Sequence, residues 1–300
     1  MARSGSILRP VTRNSAVGES CFGRAFRKSV LRLLTSTACV LLGCSELRAA
    51  DEPKNEEPQQ KRLEFMARKL DEFVIATEKA PKQPLVREKT PVSRFSNPTR
   101  NVSTDGAIFV WLSGERPVAV GSLWIGDEGT VRREFASLSD QALQCRRNEK
   151  VVWAPKSDGF AMKPLPDAPK PATTPALRLA QMRKLAARYS GEFAVPTGKG
   201  WEDLRLMPQP LYRYTTDKGA AEGAIFALAQ ANDPEMLVVL ELASPKPGAP
   251  QTWSYGIARM SSAQMRVRLD DKEIWSVKAY WSNPRATEDP YQEAEDGKFP

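Results

Sequence analysis

A short sequence pattern occurs twice in this chain of 300 residues, and the spacing of its copies limits the folds that the chain can adopt. Both copies contain the string Gly-Ala-Ile-Phe, followed by apolar residues and prolines at matching positions. The offset between copies is 117 residues at first and 122 residues after a short insertion in the second copy. The matched pairs are Gly106 with Gly223, Pro117 with Pro234, Leu123 with Leu240, Phe135 with Ile257, and Trp153 with Trp275. We interpret this pattern as a tandem duplication.

In each copy, the spacing of apolar residues predicts one helix followed by several strands. Apolar residues recur at helical spacing before each set of strands, and Thr174 with Pro175 forms a favourable start for the second helix, which we expect to stop at Gly191. Short apolar runs separated by turn residues then indicate antiparallel strands. The helical positions are Leu63, Met66, Leu70 and Phe73, and Leu179, Met182, Ala186 and Tyr189. The predicted fold is α+β, with each half one amphipathic helix packed on a curved antiparallel sheet of about five or six strands.

Composition changes along the chain divide it into six segments. Proline- and charge-rich stretches separate the two predicted repeats from each other and from both ends. The predicted segments are an export leader over 1–50, a flexible tether over 51–60, the first repeat over 61–158, a Pro-rich linker over 159–175, the second repeat over 176–282 and a disordered acidic tail over 283–300.

The first 50 residues have the layout of a secretory signal. A basic region ends at Lys28, an apolar stretch runs over about 33–42, and small residues follow. Because about 20 apolar residues are needed to span a bilayer, we expect no permanent transmembrane helix. Two outcomes stay open: lipidation of Cys44 in a lipobox-like Leu-Leu-Gly-Cys string, or cleavage near Ala49 or Ala50. The predicted location is the periplasm, cell envelope or extracellular space, with membrane contact only through a lipid at Cys44.

The positive charge of the chain lies mostly in this leader. The chain has a formal net charge of +8, and the leader carries eight basic and two acidic residues, so the remainder carries +2. A basic surface is the electrostatic requirement for binding nucleic acid. We therefore expect no nucleic-acid partner.

The residue types that serve most catalytic and metal sites are scarce. The chain has no His, which excludes Ser–His and Cys–His catalysis and His-ligated metals. Only Cys145 lies beyond the leader, and its place in an alternating strand pattern predicts a buried hydrophobic residue. The acidic pairs Asp127-Glu128 and Asp270-Asp271 fall in predicted turns, where acids are usually solvated. We predict no catalytic residues, no metal and no cofactor.

Several longer strings carry a resemblance to a known family. They cover about residues 60–279 and include Asp105-Gly-Ala-Ile-Phe-Val-Trp-Leu, Gly114-Glu-Arg-Pro, Glu134-Phe-Ala-Ser-Leu-Ser, Leu204-Arg-Leu-Met-Pro-Gln-Pro-Leu-Tyr-Arg-Tyr and Ala258-Arg-Met-Ser-Ser. In these strings the chain resembles a family of uncharacterised exported proteins common in planctomycetes. The resemblance implies export and a shared fold, and it implies no activity, ligand or catalytic residue.

Five residues are candidates for ligand binding. Arg94 and Arg213 occupy matching positions in the two repeats, and with Arg259 they could bind an anionic group bidentately. Trp111 and Trp124 are candidate surface aromatics, because their repeat partners are Leu228 and Glu241 rather than Trp. The alternative for the arginines is packing along the sheet edge through their methylene groups.

The sequence favours a binding function over an enzymatic one. The leading hypothesis is a non-enzymatic binding or scaffold module of the envelope or extracellular space, with a protein or an extracellular polymer as partner. The alternative is a hydrolase that uses two carboxylates in a cleft between the repeats. A third hypothesis is a scaffold subunit whose sheet edges pair with other chains.

Overall fold

The computed structural model describes residues 56–97, 103–156, 159–195, 200–216, 220–246, 248–279 and 287–300. The predicted leader, Cys44 and the first half of the tether lie outside the described residues. Within the described ranges the chain is mostly antiparallel β-sheet with two α-helices, which agrees with the predicted α+β class at that coarse level.

The first half of the described chain contains one helix and eight strands. These are α1 (Glu56–Leu70), β1 (Val74–Thr77), β2 (Val86–Arg87), β3 (Ser93–Asn97), β4 (Ser103–Ser113), β5 (Arg116–Ile125), β6 (Thr130–Ser137), β7 (Leu143–Arg147) and β8 (Lys150–Trp153). A single 3-10 turn, Asp127–Gly129, connects β5 to β6.

The second half of the described chain also contains one α-helix and eight strands, and one additional strand lies on either side of them. After β9 (Lys163–Pro164) come α2 (Pro175–Ala186), β10 (Tyr189–Ala194), β11 (Trp201–Leu206), β12 (Tyr212–Thr215), β13 (Ala221–Gln230), β14 (Asp233–Ala243), β15 (Thr252–Arg259), β16 (Met265–Leu269) and β17 (Lys272–Val277). The last element is β18 (Tyr291–Lys298).

The strands of the described residues form three sheets. The first half supplies a three-stranded sheet in the order β1-β7-β8 and most of a six-stranded sheet in the order β18-β6-β5-β4-β2, in which β3 also pairs with β4. The second half supplies a nine-stranded sheet in the order β17-β16-β10-β11-β13-β14-β15-β9, in which β12 also pairs with β13. The predicted five or six strands per half is therefore too low, because very short strands lie in stretches that the sequence marks as loops.

The six-stranded and nine-stranded sheets pack face to face. Along β4, Ile108 and Val110 contact the shared core between the sheets, whereas Phe109 and Trp111 contact the core beneath α1. The strands β13 and β14 alternate in the same way between the shared core and the core beneath α2. The layers are therefore helix, sheet, sheet and helix. Glu52–Pro300 forms one compact unit.

Each helix lies on the outer face of one sheet. α1 buries Met66 and Leu70, and α2 buries Met182, Leu185 and Ala186. The side chain of Thr174 accepts a hydrogen bond from the backbone N–H of Leu177, which confirms the predicted N-cap. No helix of the described residues is both long enough and apolar enough to cross a membrane.

The second helix ends earlier than predicted. It stops at Ala186 rather than near Gly191, since Tyr189 and Phe193 belong to β10 and point into the core. Pairing of β10 with both β11 and β16 stabilises the extended conformation there. The apolar spacing in this short stretch is compatible with either a helix or a strand. Hydrogen bonds to β11 and β16 make the strand the more stable of the two.

Three of the predicted connecting segments contain regular structure. α1 already begins at Glu56, within the predicted tether, and β9 lies within the predicted linker and pairs with β15. The prediction of a disordered tail is wrong for Tyr291–Lys298, which pairs with β6 as β18. Tyr291 is fully buried in the shared core, so burial of an aromatic ring compensates for the acidic composition of this strand.

One glycine on β4 and one on β13 allow an aromatic ring of the neighbouring strand to lie against the backbone. Gly106 pairs with Phe95, and Gly223 pairs with Tyr214, in the same antiparallel register. A Cβ atom at either glycine would lie less than 3.0 Å from the facing ring. The ring covers the bare glycine backbone in both places, which requires the absence of a side chain.

Replacing Gly106 by Ala should therefore destabilise the fold. The added methyl group has to displace the Phe95 ring, and overpacking of this kind costs about 1–3 kcal/mol. Chemical denaturation of wild type and Gly106→Ala measures the difference.

The second substitution in this test is Phe95→Leu, which removes the ring from the glycine. The double variant should lose less stability than the sum of the two single variants. If the stability losses of the two single variants add exactly in the double variant, the Phe95 ring does not restrict the side chain at position 106.

Candidate functional site

The two candidate tryptophans differ in accessibility. Trp111 is 2% exposed and packs edge-on against Phe135 beneath α1, so the prediction of a surface ligand-binding aromatic is wrong for this residue. The reason is that both faces of β4 are covered, one by α1 and one by the second sheet. Trp124 is half-buried and packs against the shared core.

Arg94 and Arg213 form matching ion pairs within the fold. Arg94 donates to both carboxylate oxygens of Asp105, at 2.7 and 2.6 Å, and Arg213 donates to Glu222 at 2.5 Å. Both carboxylates are buried. Each guanidinium also donates to a backbone carbonyl at the start of a helix, Arg94 to Gln59 and Arg213 to Pro175. The two arginines thus connect each helix to its sheet. Asp105 pairs with Arg94, whereas Glu222 is shared between Arg213 and Arg178 of α2.

Arg259 is also enclosed by protein groups. It is 4% exposed, and its guanidinium donates to the backbone carbonyls of Ser261, Ala263 and Lys278 at 2.7, 2.6 and 3.0 Å. Its guanidinium lies 5.3 Å from the centre of the Tyr291 ring. The structure therefore does not bring Arg94, Arg213 and Arg259 together at an open anion site, and the prediction of such a site is wrong.

A buried carboxyl group that the sequence analysis missed lies between the sheets. Ser122 donates to one oxygen of Glu134 at 2.6 Å, and Tyr291 donates to the other at 2.7 Å. Burial removes water from this carboxyl group and raises its pKa well above the ordinary value of 4.5. Burial likewise raises the pKa of the Tyr291 hydroxyl, which therefore stays a donor. The cluster attaches β18 to β6.

Replacing Glu134 by Gln should weaken the pH dependence of the free energy of unfolding, because it removes a carboxyl group that titrates differently in the folded and unfolded chain. Between pH 4.5 and the folded pKa of Glu134, the folded chain holds a proton that the unfolded chain has released. The free energy of unfolding of wild type should therefore fall as pH rises through this window, by up to about 1.4 kcal/mol per pH unit. Denaturant titrations over a range of pH should show a weaker decline in Glu134→Gln.

The matched control is Glu115→Gln, which changes an exposed glutamate on the turn between β4 and β5. This variant should keep the wild-type pH slope. An equal slope in wild type and Glu134→Gln would contradict a raised pKa at Glu134.

A second network joins the two halves. The Nε atom of Arg116, at the start of β5, lies 2.9 Å from Oε2 of Glu241, on β14. Tyr214 donates to the same oxygen at 2.7 Å. Burial is the main cause that raises the pKa of Tyr214, and the nearby Glu241 adds to it. The guanidinium of Arg116 is thus held at the boundary between the sheets while its side chain remains 37% exposed.

Arg116 lies on the wall of a cleft of about 410 Å³. The cleft forms where the turn after β4, the loop after β6 and the segment before β9 meet. Its volume falls in the range of small-ligand sites. The residues that line it are Thr77, Ser113, Arg116, Val118, Leu138, Ser139, Asp140, Gln141, Phe160, Ala161 and Met162. It combines an apolar floor with a polar rim, and it is our candidate functional site.

The described residues offer little for catalysis or metal binding. They contain no group of three or more His, Cys, Asp or Glu side chains that could hold a metal ion. Asp127, Glu128, Asp270 and Asp271 are exposed turn residues. The acidic side chain that lines the cleft is Asp140, whereas a two-carboxylate mechanism needs a facing pair.

Cys145 is buried beneath α1, as the alternation of its strand predicts. Burial raises the pKa of its thiol to about 12, so the reactive thiolate is scarce at neutral pH. The thiol is therefore a packing group rather than a nucleophile.

Sequence reasoning missed Arg116, Glu134 and Glu241. The available signal was a charged residue within an otherwise apolar strand, as in the Leu-Glu-Leu string around Glu241. Burial of such a residue requires a partner, but the sequence does not say which distant residue supplies it.

No family model, curated protein or solved structure matches the chain. Its function has to be inferred from its own residues.

Proposed function

We propose that the protein is an exported, non-enzymatic binding module and that the cleft beside Arg116 is its binding site. The observation that carries the proposal is the combination of an apolar floor, a polar rim and an arginine held in place by Glu241. Ligand sites are typically concave and combine apolar surface with a few fixed polar groups. The cleft is concave, its lining is partly apolar, and Arg116 is a fixed polar group within it.

The state of the buried acids supports a non-enzymatic function. Asp105, Glu222 and Glu241 are each held by arginine, and Glu134 is held by two hydroxyl groups. Carboxyl groups in such contacts attach one element of the fold to another. The alternative of a carboxylate-dependent hydrolase gains no support from the cleft, where Asp140 lacks a facing acid among the described residues.

We also propose that the two halves arose by tandem duplication. The order of a helix followed by eight strands is the same in both, from α1 to β8 and from α2 to β17. The Arg94–Asp105 and Arg213–Glu222 pairs occupy matching strands. The contacts of Phe95 with Gly106 and of Tyr214 with Gly223 have the same register. These coincidences are the support for a common origin of the halves.

We propose that the chain is exported and belongs to the planctomycete family, because it has the leader over 1–50 and the longer strings that begin at Asp105, Gly114, Glu134, Leu204 and Ala258. In its own host, the chain should be found in the envelope or extracellular fraction without its leader. Intact mass spectrometry of that material distinguishes lipidation at Cys44 from cleavage near Ala49 or Ala50. For a lipidated chain, Cys44→Ala should abolish membrane association. A full-length chain confined to the cytoplasm would contradict export.

The binding proposal predicts that filling the cleft removes a bound species. Ala161 is exposed on the cleft wall, so Ala161→Trp should occupy the cleft without disturbing the core. Native mass spectrometry of protein purified gently from the host should show an additional mass on wild type that is reduced at least about tenfold on Ala161→Trp, which corresponds to about 1.4 kcal/mol.

The matched control is Ala176→Trp, which adds the same side chain at an exposed position of α2. This variant should retain the additional mass. Equal retention by Ala161→Trp, or wild type without any bound species, would count against the cleft as the binding site.

A further inference from the structure

The charge of the cleft limits the ligands that it can bind. The positive charge of Arg116 is balanced by Glu241, whose side chain is 6% exposed and lies 2.9 Å from it. Asp140 is exposed and has no ion-pair partner among the described residues. The cleft therefore presents an uncompensated negative charge, which disfavours phosphate and sulfate and favours a basic group.

The floor of the cleft favours an apolar side chain over a sugar ring. Val118, Leu138 and Met162 supply aliphatic surface. The Phe160 ring is buried against Gly256, so it presents no open face on which a sugar could stack. A cavity of about 410 Å³ with such a floor has room for a side chain together with part of its backbone.

The rim supplies hydrogen-bonding groups for a peptide backbone. Arg116 is fixed through its Nε atom, and its side chain is 37% exposed. Gln141 is exposed beside it and offers an amide donor and acceptor. Alternating donors and acceptors along a groove match the main chain of an extended segment.

We propose that the cleft binds an extended peptide segment of a partner protein in which an apolar residue is adjacent to Lys or Arg. The apolar side chain packs on Val118, Leu138 and Met162. The peptide main chain bonds to Arg116 and Gln141, and the basic side chain pairs with Asp140. This inference rests on the proposed function and specifies the chemistry of its ligand.

Selection from a random peptide library displayed on phage tests this specificity. The full chain should enrich peptides with an apolar residue next to a basic one, and Asp140→Lys should instead enrich peptides with an apolar residue next to an acidic one. The expected preference is about fivefold in each direction, as for an exposed ion pair. Asp140 is exposed, so the substitution leaves the core unchanged.

The matched control is Asp127→Lys, which makes the same charge change at an exposed turn at the opposite end of β5. It should keep the wild-type preference. No enrichment by wild type, or an unchanged preference in Asp140→Lys, would overturn the peptide inference. If Ala161→Trp still loses a bound species in that case, the binding module stands and its ligand is not such a peptide.

Discussion

The fold depends on burying both faces of its central strands. In β4, β5, β13 and β14 alternate side chains point into the core beneath a helix and into the core shared by the two sheets. Each strand therefore contributes apolar area twice, and burial of apolar area is the main favourable term in folding. The same arrangement leaves little room for an accessible aromatic on these strands, which is why Trp111 is a core residue.

Four buried acids in this molecule act as connectors. Asp105 and Glu222 tie strands to helices through arginine, Glu241 ties β14 to Arg116 of the other half, and Glu134 ties β6 to β18. A buried carboxylate that loses its partner is costly, so each pair fixes the relative placement of two elements. Arg116 differs from Arg94 and Arg213 because it also lines the cleft.

Local features were readable from sequence, whereas long-range pairing was not. Thr174 and Pro175 marked the start of α2, and alternation around Cys145 marked a buried strand, since both depend on near neighbours. Tyr291 was missed because its acidic surroundings predict disorder. Pairing with β6, contact with Glu134 and burial in the shared core stabilise the strand, and all of these involve residues distant in sequence. The cleft was missed because its walls come from segments that are far apart in sequence.

The two additional strands cross between the halves. The segment after the first half pairs with the sheet of the second half through β9, and the segment after the second half pairs with the sheet of the first half through β18. The six-stranded sheet is therefore incomplete until β18 has been synthesised. Native contacts that join such distant parts of a chain slow folding and leave a β6 edge unpaired during synthesis. A chain built in this way exposes the β6 edge until β18 pairs with it.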